Sequence, residues 1–307
     1  MKKIFIGLIA VAAFAVMSVV SCKKDGHPET ATPQAVNSDI VMAGNFTPFT
    51  LNTGNAGPST VGFVQSARLY EIDLSRIGAN VDADLLRKAI QDEIPVEVYL
   101  YRNTNKIAQV KPAGEPALAA YRKMQQAPAG PQPEAEPPVI PSQAALNSLW
   151  SQLASAPIPF SFATDGCYAR AHKMRQIILN AGYDCNKYFA YGYLAASTGS
   201  CCVLWSYHVA PLVRFKTTSG AIEYRILDPS LFSGPVTQTQ WLNACKNTGC
   251  SSSAYVSSTR TMPGNVYYVS ATSNTPLYDN NYASTNCVIA TYSGYSGCGP
   301  APVLNCP

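Results

Sequence analysis

Beyond an apolar run at residues 4–20, hydrophobic positions recur in two blocks separated by a proline-rich interval. In the first block, residues 63–72 read as a strand, residues 83–91 as a helix, and residues 96–101 as a strand with alternating faces. Residues 117–125 supply one more helical stretch. In the second block, Ala144, Ala145, Leu149, Trp150 and Leu153 predict an amphipathic helix that starts near Ser142. A second helix follows, with Thr164 or Asp165 as its cap, Cys167 in its first turn, Ala171, Met174, Ile178 and Ala181 as its apolar stripe, and Gly182 at its end. Strands are then expected over 188–194, 201–215 and 221–227, the last two joined as a hairpin by Thr217, Thr218, Ser219 and Gly220.

The intervals divide the chain further. Lys2 and Lys3 before the apolar run, with Ser21 and Cys22 after it, read as an export signal over residues 1–21, with Cys22 a lipidation candidate. A retained membrane helix is the alternative, since the run is near the length of a span. Residues 22–60 are rich in Pro, Thr, Asn and Gly and are expected to be a flexible tether. Residues 61–125 form a small α+β unit without cysteine, and the prolines of 126–141 leave an extended connection open to proteases. That layout fits a propeptide ahead of a mature enzyme at 142–307; two permanent domains on a stiff spacer remain the other reading.

Charged residues are 13% of the chain and the net charge is +4, with no basic cluster beyond the signal, so nucleic acid is not an expected partner. Of the ten cysteines, only Cys22 precedes Cys167, and the remaining nine leave one unpaired if the others form disulfides. Cys201 and Cys202 are adjacent and are expected to pair with different partners, whereas Cys245 and Cys250 can close a short loop. No CxxC pair is present, and no metal is expected.

The free sulfur is best sought at Cys167, because the positive end of a helix dipole favours thiolate over thiol. A thiol hydrolase also needs a base within reach. Of the three histidines, His27 lies in the tether, and His172 points about 140° from Cys167 on the same helix, which fits a partly exposed residue. His208 remains. Pairing Lys216 with Ala221 across the hairpin places His208 opposite Pro229, and one bulge near Pro211 brings Asp228 directly opposite as the group that orients the imidazole.

The second block resembles the bacterial protein-glutaminases, secreted enzymes that hydrolyse the γ-amide of protein-bound glutamine. The resemblance is carried by DGCYARAHKMRQ at 165–176, Cys201-Cys202, WSYHVA at 205–210, DPSLF at 228–232, GPV at 234–236, GNVYY at 264–268 and LYDNN at 277–281. It implies a transglutaminase-like, papain-related α+β core with an antiparallel sheet and a nucleophile helix, preceded by a small α+β propeptide domain. It implies Cys167 as nucleophile, His208 as general base and Asp228 as orienting acid, with no cofactor. Two family cysteines are absent from the short interval 151–164, and Pro211 stands where an aliphatic residue is expected.

The function expected is deamidation of glutamine in proteins through a Cys167 thioester, with the backbone N–H of Cys167 as a candidate oxyanion donor. Trp205, Ser206 and Tyr207 are candidate substrate contacts, and Ser66 and Ala67 are candidates for blocking the cleft in an inactive proenzyme. The expected partners are glutamine-containing proteins and the chain's own propeptide, for an exported monomer that meets a membrane through a lipid anchor on the precursor. Transglutaminase acyl transfer, a peptidase and a lipid-anchored binding module with an inactive triad are the rivals.

Overall fold

A computed structural model describes residues 39–54, 58–128, 136–199, 201–270, 273–304 and 306. The export signal, Cys22 and His27 lie outside the described residues. In chain order the elements are β1 (Ile40–Phe46), β2 (Pro48–Asn52), β3 (Ser59–Phe63), β4 (Ser66–Ile72), α1 (Ala79–Asp92), β5 (Val96–Tyr101), β6 (Lys106–Pro112) and α2 (Glu115–Gln126). Then come β7 (Val139–Ile140), α3 (Gln143–Ala154), α4 (Cys167–Asn180), β8 (Asn186–Ser197), β9 (Cys202–Lys216) and β10 (Ile222–Ile226). The chain ends with α5 (Gln238–Cys245), β11 (Tyr255–Pro263), β12 (Val266–Val269), β13 (Pro276–Tyr278) and α6 (Ala283–Tyr292).

The strongest periodicities are realised as expected. Along β5 buried and half-buried positions alternate without a break. Ser142 caps α3 by accepting the Ala145 N–H at 3.2 Å. Helix α4 stops at Gly182, whose φ of 84° is open to glycine; Tyr183 N–H donates to Ile178 O and Gly182 N–H to Leu179 O, which closes the last turn.

Two connecting segments differ from expectation. Residues 40–52, placed in the tether, form β1 and β2, which pair with β5 and β3. Their alternation is broken by a register shift between Met42 and Gly44, so a pattern of period two does not read through β1. At the end of the proline-rich interval, β7 pairs in parallel with β9 and Ile140 is fully buried. The segment 63–72 also contains a turn, which splits it into β3 and β4, and β6 went unrecognised in the sequence.

Apart from β12, which pairs with β13, the strands form one sheet in the order β1-β5-β6-β4-β9-β8-β11, with β3 and then β2 branching from β4 and with β10 and β7 along β9. Its two ends cover separate cores. Phe46, Phe63, Tyr70, Leu86 and Val98 fill one, while Cys167, Tyr168, Trp205, Val209 and Trp241 belong to the other. The junction is a single antiparallel pairing of Arg68 with Trp205 between β4 and β9. Helix α4 packs against β9 on one side and α6 on another, which brings the start of the helix over the middle of the strand.

Candidate active site

Cys167 is the first residue of α4. The turn into the helix uses Gly166 at φ 80°, where a Cβ would stand 2.8 Å from the Tyr292 ring, so a side chain is excluded by backbone and space together. No side chain caps α4. Thr164 donates instead to Gly299 O at 3.1 Å, and Asp165 accepts the Gly166 N–H at 2.7 Å. Arg170, buried one turn into the helix, donates to Phe162 O at 2.9 Å and to Asp165 O at 2.6 Å, which fixes the approach to Cys167.

The Cys167 sulfur is free and 2% exposed, and it lies near the backbone N–H of Val209. Burial pushes its pKa up to about 12, against the opposing pull of Arg170. The thiolate expected at a helix start is therefore suppressed in this form. Each pKa step is worth about 1.4 kcal/mol, and a helix terminus returns ~0.3–1 kcal/mol, so desolvation wins.

His208 and Asp228 meet in the core. His208 Nε2 lies 2.8 Å from Asp228 Oδ2, and Trp241 Nε1–H donates to the same oxygen at 2.9 Å. Ser230 N–H donates to Asp228 Oδ1 at 3.2 Å. Burial alone raises a carboxyl pKa, yet the His208 charge and the His208 and Trp241 hydrogen bonds hold Asp228 below its ordinary value. With its proton on Nε2, His208 leaves Nδ1 as a base, buried without a hydrogen-bond partner among the described residues. The imidazole is sandwiched between indoles, 4.2 Å from Trp205 at 5° and 5.2 Å from Trp241 at 16°. Trp205 Nε1–H in turn donates to Ala163 O at 3.0 Å, which ties β9 to the loop ahead of Cys167.

The hairpin reaches this pairing by a route different from the one expected. Lys216 pairs with Ile222, not Ala221, and the ladder runs without a bulge to Leu212 and Ile226. Leu227 N–H then bonds to Pro211 O at 3.0 Å. Asp228 therefore stands one step past the ladder, diagonal to His208, and the two side chains close the gap.

Strand β4 is hydrogen-bonded to the loop ahead of Cys167 and to β9. Ser66 Oγ–H donates to Asp165 Oδ2 at 2.7 Å, and Ala67 N–H donates to Asp165 Oδ1 at 3.0 Å. Ser206 Oγ–H donates to Ala67 O at 3.2 Å and Tyr207 Oη–H to Val64 O at 2.9 Å, while Trp205 pairs with Arg68 through the backbone. Ser66 and Ala67 are fully buried.

His172 is not the partly exposed residue expected. It is 1% exposed, with Nδ1 2.8 Å from Lys187 Nζ and Nε2 3.3 Å from Asp279 O. Burial first and the Lys187 charge next push its pKa down to about 2, and burial pushes Lys187 down to about 7.

The disulfides are Cys201–Cys298, Cys202–Cys250 and Cys287–Cys306. Cys201 and Cys202 take separate partners, as expected of neighbours. Cys250 reaches Cys202 in preference to Cys245, which lies buried in α5, so among the described residues three cysteines are free where one was expected: Cys167, Cys185 and Cys245. Sequence reasoning did not assign Trp241 or Arg170 to the site and read Asp165 merely as a cap. The capping box of Thr237 and Gln240 marks α5, but no local signal ties Trp241 to Asp228. Among the described residues no group of His, Cys, Asp and Glu side chains is arranged to hold a metal ion.

Comparison with known proteins follows the same geometry. The family described as Glutaminase matches residues 143–245. A crystal structure of pro-protein-glutaminase is 45% identical, covering 88% of this chain and 100% of its own, with a TM-score of 0.78. A crystal structure of protein-glutaminase is 57% identical over 55% of this chain and 98% of its own, with a TM-score of 0.53. An NMR structure of protein-glutaminase from Chryseobacterium proteolyticum is 58% identical over 54% of this chain and 94% of its own, with a TM-score of 0.50. No curated protein sequence matches. Over nearly its whole described length, then, the chain belongs to the protein-glutaminase family.

Proposed function

We propose that this chain is the inactive precursor of an enzyme that hydrolyses the side-chain amide of glutamine in proteins, with Cys167 as nucleophile, His208 as acid and base, and Asp228 as the group that orients His208. The observation that carries the assignment is a free sulfur at a helix start beside the backbone of β9, with His208 of that same strand paired in the core with Asp228, which follows β10. In the reaction, the Cys167 proton passes to His208 Nδ1 and the sulfur attacks the amide carbon of glutamine. The C–N bond breaks as His208 returns the proton to the departing nitrogen, which leaves as ammonia. Water, deprotonated by His208, then attacks the thioester; the C–S bond breaks and glutamate is released. Asp228 supports the imidazolium at each stage, and the Cys167 N–H at the helix start is the candidate donor to the oxyanion.

The precursor reading is supported by the hydrogen bonds of Ser66 and Ala67 to Asp165, two residues before Cys167, and by the shares of the chain that the relatives span. The pro-form covers 88% of this chain, the protein-glutaminase structure 55%. Cleavage within 126–141 would free residues 142–307, with β7 retained or lost according to the cut. Export through residues 1–21, with lipid on Cys22, places the precursor at the cell envelope and the processed enzyme outside it. The test is ammonia release from an intact glutamine-rich protein by the processed enzyme and its Cys167→Ala variant. Release by the wild type alone is expected; incorporation of a labelled amine in place of hydrolysis would favour acyl transfer.

A further inference from the structure

Arg170 is among the largest side chains wholly buried in the molecule, and among the described residues no carboxylate forms a salt bridge with it. Its Nη1 donates to Phe162 O at 2.9 Å and to Asp165 O at 2.6 Å, and its Nη2 has no hydrogen-bond partner among the described residues. Both carbonyls precede Cys167, so the guanidinium is folded back along α4 to the start of the helix. A Cβ at Gly166 would stand 3.5 Å from Nη1, which places the charge beside the turn that carries Cys167. On one helix face, residues three apart have Cβ atoms about 5–6 Å from each other. Neutral donors could brace two carbonyls, whereas an unpaired buried cation is costly. The charge itself therefore needs a reason.

The groups around Cys167 supply one. Asp165 beside it and Asp228 after β10 both oppose a thiolate, while Tyr191 of β8, Tyr207 of β9 and Cys245 of α5 lie within its field with raised pKa values and stay neutral. Among the cations, His208 is matched by Asp228 at 2.8 Å. Lys187 of β8 is engaged by His172 Nδ1 and Val266 O, and burial pushes it down to about 7. Departure of β4 removes Arg68, which lies 3.7 Å from the Asp165 carboxylate. Arg170 stays charged at every working pH.

We propose that Arg170 is a positioning residue of the reaction, whose unpaired guanidinium favours the state in which the Cys167 proton has moved to His208 Nδ1. This rests on the reading that Cys167 is the nucleophile. No bond forms or breaks at Arg170; it acts through the charge on the sulfur. Across about 6 Å at an effective dielectric constant of about 20, a unit charge moves a pKa by about two units, and water entering after β4 leaves weakens this to about one.

The test makes Arg170→Met, Arg170→Gln and Arg170→Lys in the full precursor, processes each with a protease, and follows Cys167 alkylation by iodoacetamide against pH with peptide mass spectrometry. Melting temperature is recorded beside it. In the Met and Gln variants the midpoint should rise by about one to two units, with a roughly ten- to hundredfold slower reaction below it and the wild-type rate well above it. Arg170→Lys should melt lower, having lost the planar fork, yet keep the midpoint within about half a unit because the charge remains. A Met or Gln variant that melts lower with an unmoved midpoint would make Arg170 a brace of the loop alone and overturn the proposal. Should neither fold, Arg170→Lys decides: a held midpoint with a lower melting temperature supports the proposal, and a midpoint raised by about a unit or more overturns it. A wild-type enzyme that still releases ammonia after complete alkylation of Cys167 would instead refute the nucleophile itself.

Discussion

Two imidazoles, His172 on α4 and His208 on β9, are each 1% exposed, and their partners differ in sign. His208 faces the Asp228 carboxylate, while His172 faces the Lys187 ammonium. The second arrangement disfavours the doubly protonated ring: burial first and the Lys187 charge next push His172 down to about 2. Burial therefore does not distinguish the two rings; the charge facing each one does. His208 is also stacked between Trp205 and Trp241, whereas His172 packs against Tyr267 and Tyr282 at steeper angles, so one ring is held in a slot and the other serves as a wedge between elements.

The largest effect should come from removing the carboxylate that marks the catalytic side. Asp228→Asn in the processed enzyme should lower kcat by roughly 10³–10⁴-fold, because the amide favours the wrong tautomer of His208. His172→Gln, in contrast, should lose stability and keep kcat within a few-fold in the fraction that folds. Steady-state ammonia release with active-site titration separates the two, and similar kcat losses in both variants would erase the distinction.

The next effect concerns pH. Lys187 binds its proton less tightly folded, at about 7, than its ordinary 10.5, so the unfolded chain holds more protons across that window. Its contribution to stability therefore grows as pH rises from about 7 to 10.5, and below about 7 its burial cost is present in full. His172, lowered from 6.5 to about 2, makes stability fall as pH drops through 6.5. Urea unfolding of Lys187→Met should show a flatter slope between pH 7 and 10, with kcat little changed.

A smaller effect is expected at Trp241→Phe, which keeps most of the stacking surface on His208 but loses the donor to Asp228. A hydrogen bond to a charged group is worth about 1.5–3 kcal/mol, so kcat should drop by at least about tenfold and the acid limb of the pH profile should move. A loss of stability with an unmoved profile would make Trp241 a packing residue.

Much of this contrast was legible in the sequence, and its failures have definite causes. Helix geometry alone separates His172 from Cys167, and elimination leaves His208 whatever the fold. The burial of His172 was hidden because its cover, Lys187, Tyr267 and Asp279, comes from three later elements. Asp228 was found near His208 even though the assumed register was one residue off, because side chains on a twisted hairpin reach diagonal neighbours as well as opposed ones. Strands β1 and β7 were missed for a different reason: a register shift spoils the period of β1, and β7 is two residues long. The role of Asp165 could not be read locally, since its partners Ser66 and Ala67 lie about a hundred positions away.

The proposal's central claim is that Cys167 is a protonated, buried thiol in the precursor and is activated once β4 leaves. Its most direct test is the pH dependence of Cys167 alkylation by iodoacetamide, followed by peptide mass spectrometry to separate it from Cys185 and Cys245, in the precursor and the processed enzyme. The precursor should leave Cys167 unmodified at neutral pH, in line with a pKa raised to about 12, and the processed enzyme should react with a midpoint well below 9. The same rate and the same midpoint in both forms would contradict it.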